Sequence, residues 1–301
     1  MNEQASATAA ALRFALLGAA SLAVVALFIG YPSFADIASA NAPYSVTIAL
    51  DPPVAQLALP PIEGSTDAER PLVVIDAGHG GHDPGAVSAD GVREEEVALA
   101  VTRAIRDRLV ASGRVRVALT RDGDNFLTLR ERFEIARRLG ADLFVSVHAD
   151  AARHDGAHGA TIYTLSEVAS DEEAAALAAR ENKADIIDGV DLGGRPSEVA
   201  SILIDLAQRE TMDDAAAFAR LLKRESTDVP FRDDYRRMAS LLVLKAPDVP
   251  SILFEAGYVT NEKDVAFIAS PEGRQAIAEG FARAVEVHFA RRMALRQLPL
   301  P

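Results

Sequence analysis

A chain of 301 residues with 49% apolar composition can bury one large core, and with its ends set aside it suits a single catalytic domain carrying an insertion. The formal net charge of -13 excludes the clustered Lys and Arg excess that a phosphate backbone demands, so no nucleic-acid partner is expected. Cys is absent, which excludes disulfides, thiolate ligation and zinc fingers; any metal must be held by His and carboxylate.

The chain begins with an almost unbroken apolar run, Phe14 to Tyr31, preceded by Arg13 and followed by Ser33-Phe34-Ala35 and Ala38-Ser39-Ala40, small-x-small patterns of the kind signal peptidase cuts. Residues 1–40 therefore read as an export signal that places the protein in the periplasm. At about 18 residues the run nearly spans a hydrocarbon core, so an uncleaved membrane anchor is the rival reading. Residues 41–70, with Pro43, Pro52, Pro53, Pro60 and Pro61 and little helical period, predict an extended tether.

From Leu72 strand-like and helix-like segments alternate: a strand over 72–76, a helix over 94–111, a strand over 116–120, a helix over 127–139 and a strand over 142–148. A strand over 160–165 follows, and the pattern resumes with strands at 241–244 and 251–255 and a helix over 271–291, with Pro271 at its first position. This order predicts an α/β fold with a mostly parallel central sheet and helices on both faces, filling residues 71–291 and leaving 292–301 as a tail. Residues 166–240 predict a helical insertion near the active site. Within it, 170–182 is acidic and Ala-rich, 183–194 is a Gly-bearing linker, and Val199, Ile202, Leu203 and Leu206 follow the i, i+3, i+4, i+7 spacing of an apolar helix face.

Three apolar runs each end in a potential ligand or acid: Val73-Val74-Ile75 leading to His79, Phe144-Val145-Ser146-Val147-His148, and Ser251-Ile252-Leu253-Phe254-Glu255. Parallel strands deliver such side chains to one rim of one sheet, where open α/β folds place ligands. The glycines around His79 let the backbone turn sharply, and the missing Gly-Lys-Ser/Thr excludes a Walker loop; a His in such a turn could equally serve the turn. The carboxylate partner belongs among Glu94, Glu95 and Glu96, which open a helix where acids also complement the macrodipole. Two His and one carboxylate leave a fourth zinc position open, the pattern of catalytic sites, and Glu255 is placed to act as base and proton shuttle. His82, His154 and His158 fall in loops that can line the cleft, and His288 is expected at the surface of the last helix.

Together these stretches resemble the zinc-dependent N-acetylmuramoyl-L-alanine amidases of the Amidase_3 family. The matching segments are residues 74–81 with Asp83-Pro84-Gly85-Ala86, Gly91 to Val97, Leu119-Thr120-Arg121-Asp122 through Leu129-Arg130-Glu131-Arg132, Ser146 to Asp150, and Glu255 to Asn261. The resemblance implies Zn2+ on His79, Glu94 and His148, with Glu95 and Glu96 solvated. It also implies a catalytic Glu255 and cleavage of the amide joining N-acetylmuramic acid to L-alanine in peptidoglycan. Glu95 and Tyr258 stand where the family often has Lys and Phe, and neither removes a catalytic group.

The insertion resembles that of the cell-division amidases, in which such a segment occludes the zinc until a partner moves it. Glu181 is the candidate plug, ahead of Glu167, Glu172, Glu173 and Glu210, against the plainer reading of a solvated acidic helix. By the same resemblance the partner is a coiled-coil LytM-type activator docking around Val199 and Leu206; separately, a monomer is the default expectation. The alternative is a permanently closed peptidoglycan-binding scaffold or sensor, and a zinc peptidase on a similar fold is a third reading.

Overall fold

The runs Leu72-Val73-Val74-Ile75 and Leu143-Phe144-Val145 are apolar on consecutive residues, not alternate ones, which suits strands buried on both faces. In the computed structural model, which describes residues 57–152, 156–183 and 198–296, they form the centre of a sheet. In chain order the elements are β1 (Glu63–Gly64), β2 (Leu72–Ala77), α1 (Glu94–Ser112), β3 (Arg116–Leu119), α2 (Leu129–Leu139), β4 (Leu143–His148) and β5 (Ala160–Leu165), then α3 (Glu172–Glu181), α4 (Glu198–Glu225), β6 (Phe231–Ala239), β7 (Ser251–Glu255), α5 (Glu262–Ile268) and α6 (Pro271–Arg296).

The sheet has 7 strands in the order β1-β3-β2-β4-β7-β5-β6. β3, β2, β4 and β7 run parallel; β5 turns antiparallel to β7, β6 is parallel to β5, and β1 is antiparallel to β3. One face carries Val73, Ile75, Val145, Val147, Ile252 and Phe254 against α1, α4 and α6. The other carries Leu72, Val74, Phe144, Tyr163 and Leu253 against α2, α3 and the segment after β6. Phe144, Phe218, Phe254 and Phe281 are each almost fully buried, contributing roughly 1.5–3 kcal/mol apiece.

Local signals set the helix ends. Thr128 and Glu131 form a reciprocal capping box at the start of α2, and Gly113 and Gly140 close α1 and α2 in the left-handed conformation. The parallel register places Asp76 beside Ser146 and His148 beside Glu255. Because side chains alternate between faces with period two, these residues all lie on the α2 and α3 side of the sheet.

Several expectations change. The segment 241–244 is not a strand: Leu242–Leu244 makes one 3-10 turn that buries Val243 and Leu244. The strand there is β6, whose Arg-Asp-Asp-Tyr-Arg-Arg sequence follows no apolar alternation because it lies at the sheet edge with Asp233, Asp234 and Arg236 in solvent. Residues 166–240 hold the helices α3 and α4 and, besides them, the sheet strand β6, while α4 also adds Phe218 and Leu222 to the core. β1 lies inside the expected tether and pairs with β3. No helix among the described residues is long and apolar enough to cross a membrane. The run from Phe14 to Tyr31, the cleavage patterns, the linker 183–194 beyond Lys183, His154 and the side chains of Val199, Ile202, Leu203 and Leu206 lie outside the described residues.

Candidate active site and metal centre

The turn leaving β2 brings His79 back over the sheet rim in a left-handed conformation, with φ of 59°. Its Nδ1 lies 2.8 Å from Asp83 Oδ2, a carboxylate that fixes the ring and leaves Nε2 free as a ligand. Space for this arrangement depends on two glycines. A Cβ on Gly78 would lie 2.5 Å from His148 Nε2, and one on Gly85 would lie 2.7 Å from both Glu94 Oε2 and His79 Cδ2.

Glu94, the first residue of α1, turns inward and is 1% exposed. Its Oε2 accepts from the Ala86 N–H at 2.9 Å and its Oε1 from the Ala149 N–H at 3.0 Å. Oε1 also lies 3.1 Å from His79 Nε2 and 3.1 Å from His148 Nδ1. From α3, Glu181 Oε2 approaches to 3.6 Å from His79 Nε2 and 3.3 Å from His148 Nδ1. His79, His148 and Glu181 form a group able to hold a metal ion.

The donor set fits zinc. Tetrahedral zinc with N and O donors at about 2.0–2.1 Å holds them about 3.3–3.4 Å apart, and the separations here run from 3.1 to 3.6 Å. The buried Nε2 of His79 has no hydrogen-bond partner although it faces carboxylate oxygens. Glu94 and Glu181 are buried with oxygens facing both imidazoles, an arrangement that a cation between them would satisfy.

The electrostatics agree. Burial alone would push the His79 imidazole down, but Glu94 and Glu181 outweigh it and hold it well above its ordinary value. Burial would raise the Glu94 carboxyl, yet the His79 and His148 rings draw it well below the usual carboxylate range. Glu255 behaves oppositely: burial and then repulsion from Glu94 and Glu181 push it well up. One of its oxygens accepts the Asp150 N–H at 3.1 Å, while Oε1 is buried without a partner.

A scan for related families matches residues 73–287 to Amidase_3, described as N-acetylmuramoyl-L-alanine amidase. The chain belongs to this family. It is 36% identical over 220 residues to the N-acetylmuramoyl-L-alanine amidase AmiA of Escherichia coli K12, covering 72% of this chain and 76% of the relative. It is 33% identical to AmiC of Escherichia coli O6:H1, over 76% of this chain and 56% of the relative. The solved structure of the amidase AmiC2 of Nostoc punctiforme superposes with a TM-score of 0.54 at 28% identity, covering 73% of this chain and 98% of that one. The enzyme is therefore an N-acetylmuramoyl-L-alanine amidase, with peptidoglycan as substrate.

The amidase brings together His79, Glu94, His148, Glu181 and Glu255, residues that the sequence singled out. It departs elsewhere. Glu95 is not solvated: it is 3% exposed and paired with Arg93, while Glu96 does face solvent. His288 is not at the surface but 5% exposed, edge-on to Phe218 and Phe289. His82 stacks on Phe126 in solvent, and His158 is exposed. Glu173 is tied to Arg232 and Arg237, and Glu167, Glu172 and Glu210 are exposed. Sequence reading missed Asp150, whose buried carboxylate is gripped by Arg180 of α3; the acid directly after His148-Ala149 was the available signal.

Proposed function

We propose that the enzyme is a zinc-dependent, exported amidase of cell-wall remodelling and daughter-cell separation, held inactive by its own helix α3. His79, Glu94 and His148 hold the metal and Glu181 takes the position that substrate needs. One observation carries this reading: His79 Nε2, His148 Nδ1, Glu94 Oε1 and Glu181 Oε2 converge at the spacing of a single tetrahedral ion. Bound zinc supplies a polarised scissile carbonyl and a water acidified towards neutrality.

The chain's own residues do the rest. Asp83 orients His79, and Glu94 is oriented by the Ala86 and Ala149 N–H groups. With one oxygen of Glu255 anchored on the Asp150 N–H, its Oε1 is free to take a proton from the attacking water and return it to the leaving amine nitrogen of L-alanine. Withdrawal of α3 frees the site, and an activator that binds the chain better with α3 displaced than with α3 docked drives that withdrawal. A coiled-coil partner of the LytM type, docking on the apolar face around Val199 and Leu206, suits that role.

The test is release of L-alanine-headed peptides from purified sacculi by metal-stripped enzyme, with and without zinc and with and without residues 166–207. Zinc-dependent release that rises when the segment is deleted supports the reading. A protein that binds sacculi but releases nothing in either form acts as a closed scaffold.

A further inference from the structure

Beneath the site lies a buried polar knot that neither metal binding nor proton transfer uses. Arg121 and Arg132, each 3% exposed, aim their guanidiniums at the backbone of the turn that carries His79. Arg132 donates from Nη2 to His79 O at 2.8 Å and from Nη1 to Ala77 O at 2.7 Å. Arg121 donates from Nε to Ala77 O at 2.9 Å and from Nη2 to Gly78 O at 2.7 Å. His79 is the non-glycine residue at positive φ among the described residues, a conformation costing about 1–2 kcal/mol. Without these arginines, successive carbonyls of a strained turn would be left buried and unpaired.

The same two side chains reach the other ligand-bearing segments. Arg121 Nη2 also donates to Glu95 O at 3.0 Å, the residue after Glu94. Arg132 Nη1 donates to Asp76 Oδ1 at 2.9 Å. Asp76 in turn accepts from Thr120 Oγ1 at 2.6 Å and, through Oδ2, from Ser146 Oγ at 2.6 Å, two residues before His148 on β4. The turn of His79, the first turn of α1 and the end of β4 are thus cross-linked by one hydrogen-bonded cluster.

We infer that Arg121 and Arg132 are positioning residues that hold His79, Glu94 and His148 in a preformed metal site, so that the enzyme's affinity for zinc depends on their planar donor forks. The inference rests on the reading that these three residues bind zinc. Lys keeps the positive charge beside Asp76 but offers a point-like ammonium that cannot span these carbonyls in one plane. Residues that orient ligands without touching the metal typically change its affinity by about 10–100-fold.

The experiment measures the zinc dissociation constant of the folded full chain by competition with a chromophoric chelator, alongside thermal melting, for wild type, Arg121→Lys and Arg132→Lys. Both variants are expected to bind zinc about 10–100-fold more weakly than wild type. A purely structural role would lower the melting temperature and leave zinc affinity unchanged, and that result overturns the inference while leaving the zinc site itself intact. Wild type that retains no zinc overturns the metal reading and the inference with it. Should Arg132→Lys fail to fold, Ser146→Ala removes a bond to Asp76 but keeps both guanidiniums. It is expected to weaken zinc binding about tenfold, the low end of that range, and unchanged affinity there overturns the inference as well.

Discussion

Glu181 Oε2 lies 3.3 Å from His148 Nδ1, so the last residue of α3 reaches a ring delivered by the central strand β4. The helix that brings it is tied down along its length. Asp171 caps its start through the Ala174 N–H, and Glu173 takes Arg232 at 2.7 Å and Arg237 at 2.8 Å. Arg180 grips Asp150, and the Asn182 side chain bridges Ser240 O and the Leu242 N–H. The proposed withdrawal of α3 would have to break these contacts.

Glu181→Ala should raise basal hydrolysis of labelled sacculi in the absence of any activator by at least about tenfold, corresponding to about 1.4 kcal/mol of lost occlusion. An unchanged basal rate would mean that Glu181 does not occlude the site.

Glu173→Gln leaves Arg232 and Arg237 without their shared carboxylate. Its effect should be indirect and smaller, about 3–10-fold in basal rate, because partly buried charge-assisted bonds carry about 1–3 kcal/mol. Hydrogen exchange over residues 172–181 should accelerate in parallel. If neither quantity moves, α3 is held by other contacts.

Glu255→Gln should cut turnover by about 10²–10⁴-fold, the usual share of a general acid–base group, while zinc content stays at the wild-type level. The variant also removes a buried carboxyl whose ionised form burial, Glu94 and Glu181 disfavour, so its melting temperature should not fall. A variant that loses metal would make Glu255 a structural support of the centre.

His288 predicts how stability depends on acidity. Burial, followed by the Arg292 charge, pushes its imidazole down to about 4, whereas the unfolded chain titrates near its ordinary value of about 6.5. Unfolded protein therefore takes up a proton that the fold refuses. This contribution is complete above about pH 6.5 and is lost as pH falls towards 4, by up to about 3 kcal/mol. His288→Phe should flatten the stability profile across that window in denaturant titrations at pH 7 and 4.5. An equally steep profile would mean that other groups set it.

The sequence made the candidate site legible because its groups on strand ends are tied to apolar runs. His148 and Glu255 end β4 and β7 on paired register positions, and both runs are visible as short apolar stretches, broken in β4 only by Ser146. β6 was illegible for the opposite reason: an edge strand needs little apolar alternation, and its arginines serve α3 and not the core. His288 was misplaced because a polar residue on a long amphipathic helix gives no local sign of facing Phe218, which comes from a different helix. Glu95 read as solvated for a similar reason, its burial being set by how α1 lies against the turn before it. Arg121 and Arg132 stood out only as matching residues, since backbone carbonyls leave no mark in a sequence.

The most direct test of the metal centre is an X-ray absorption spectrum at the zinc edge of the purified full-length enzyme. About four N/O scatterers near 2.0–2.1 Å are expected, with the outer-shell pattern of two imidazoles, and loss of one imidazole in His148→Ala. A six-coordinate shell without imidazole, or a spectrum unchanged by His148→Ala, would contradict this metal centre.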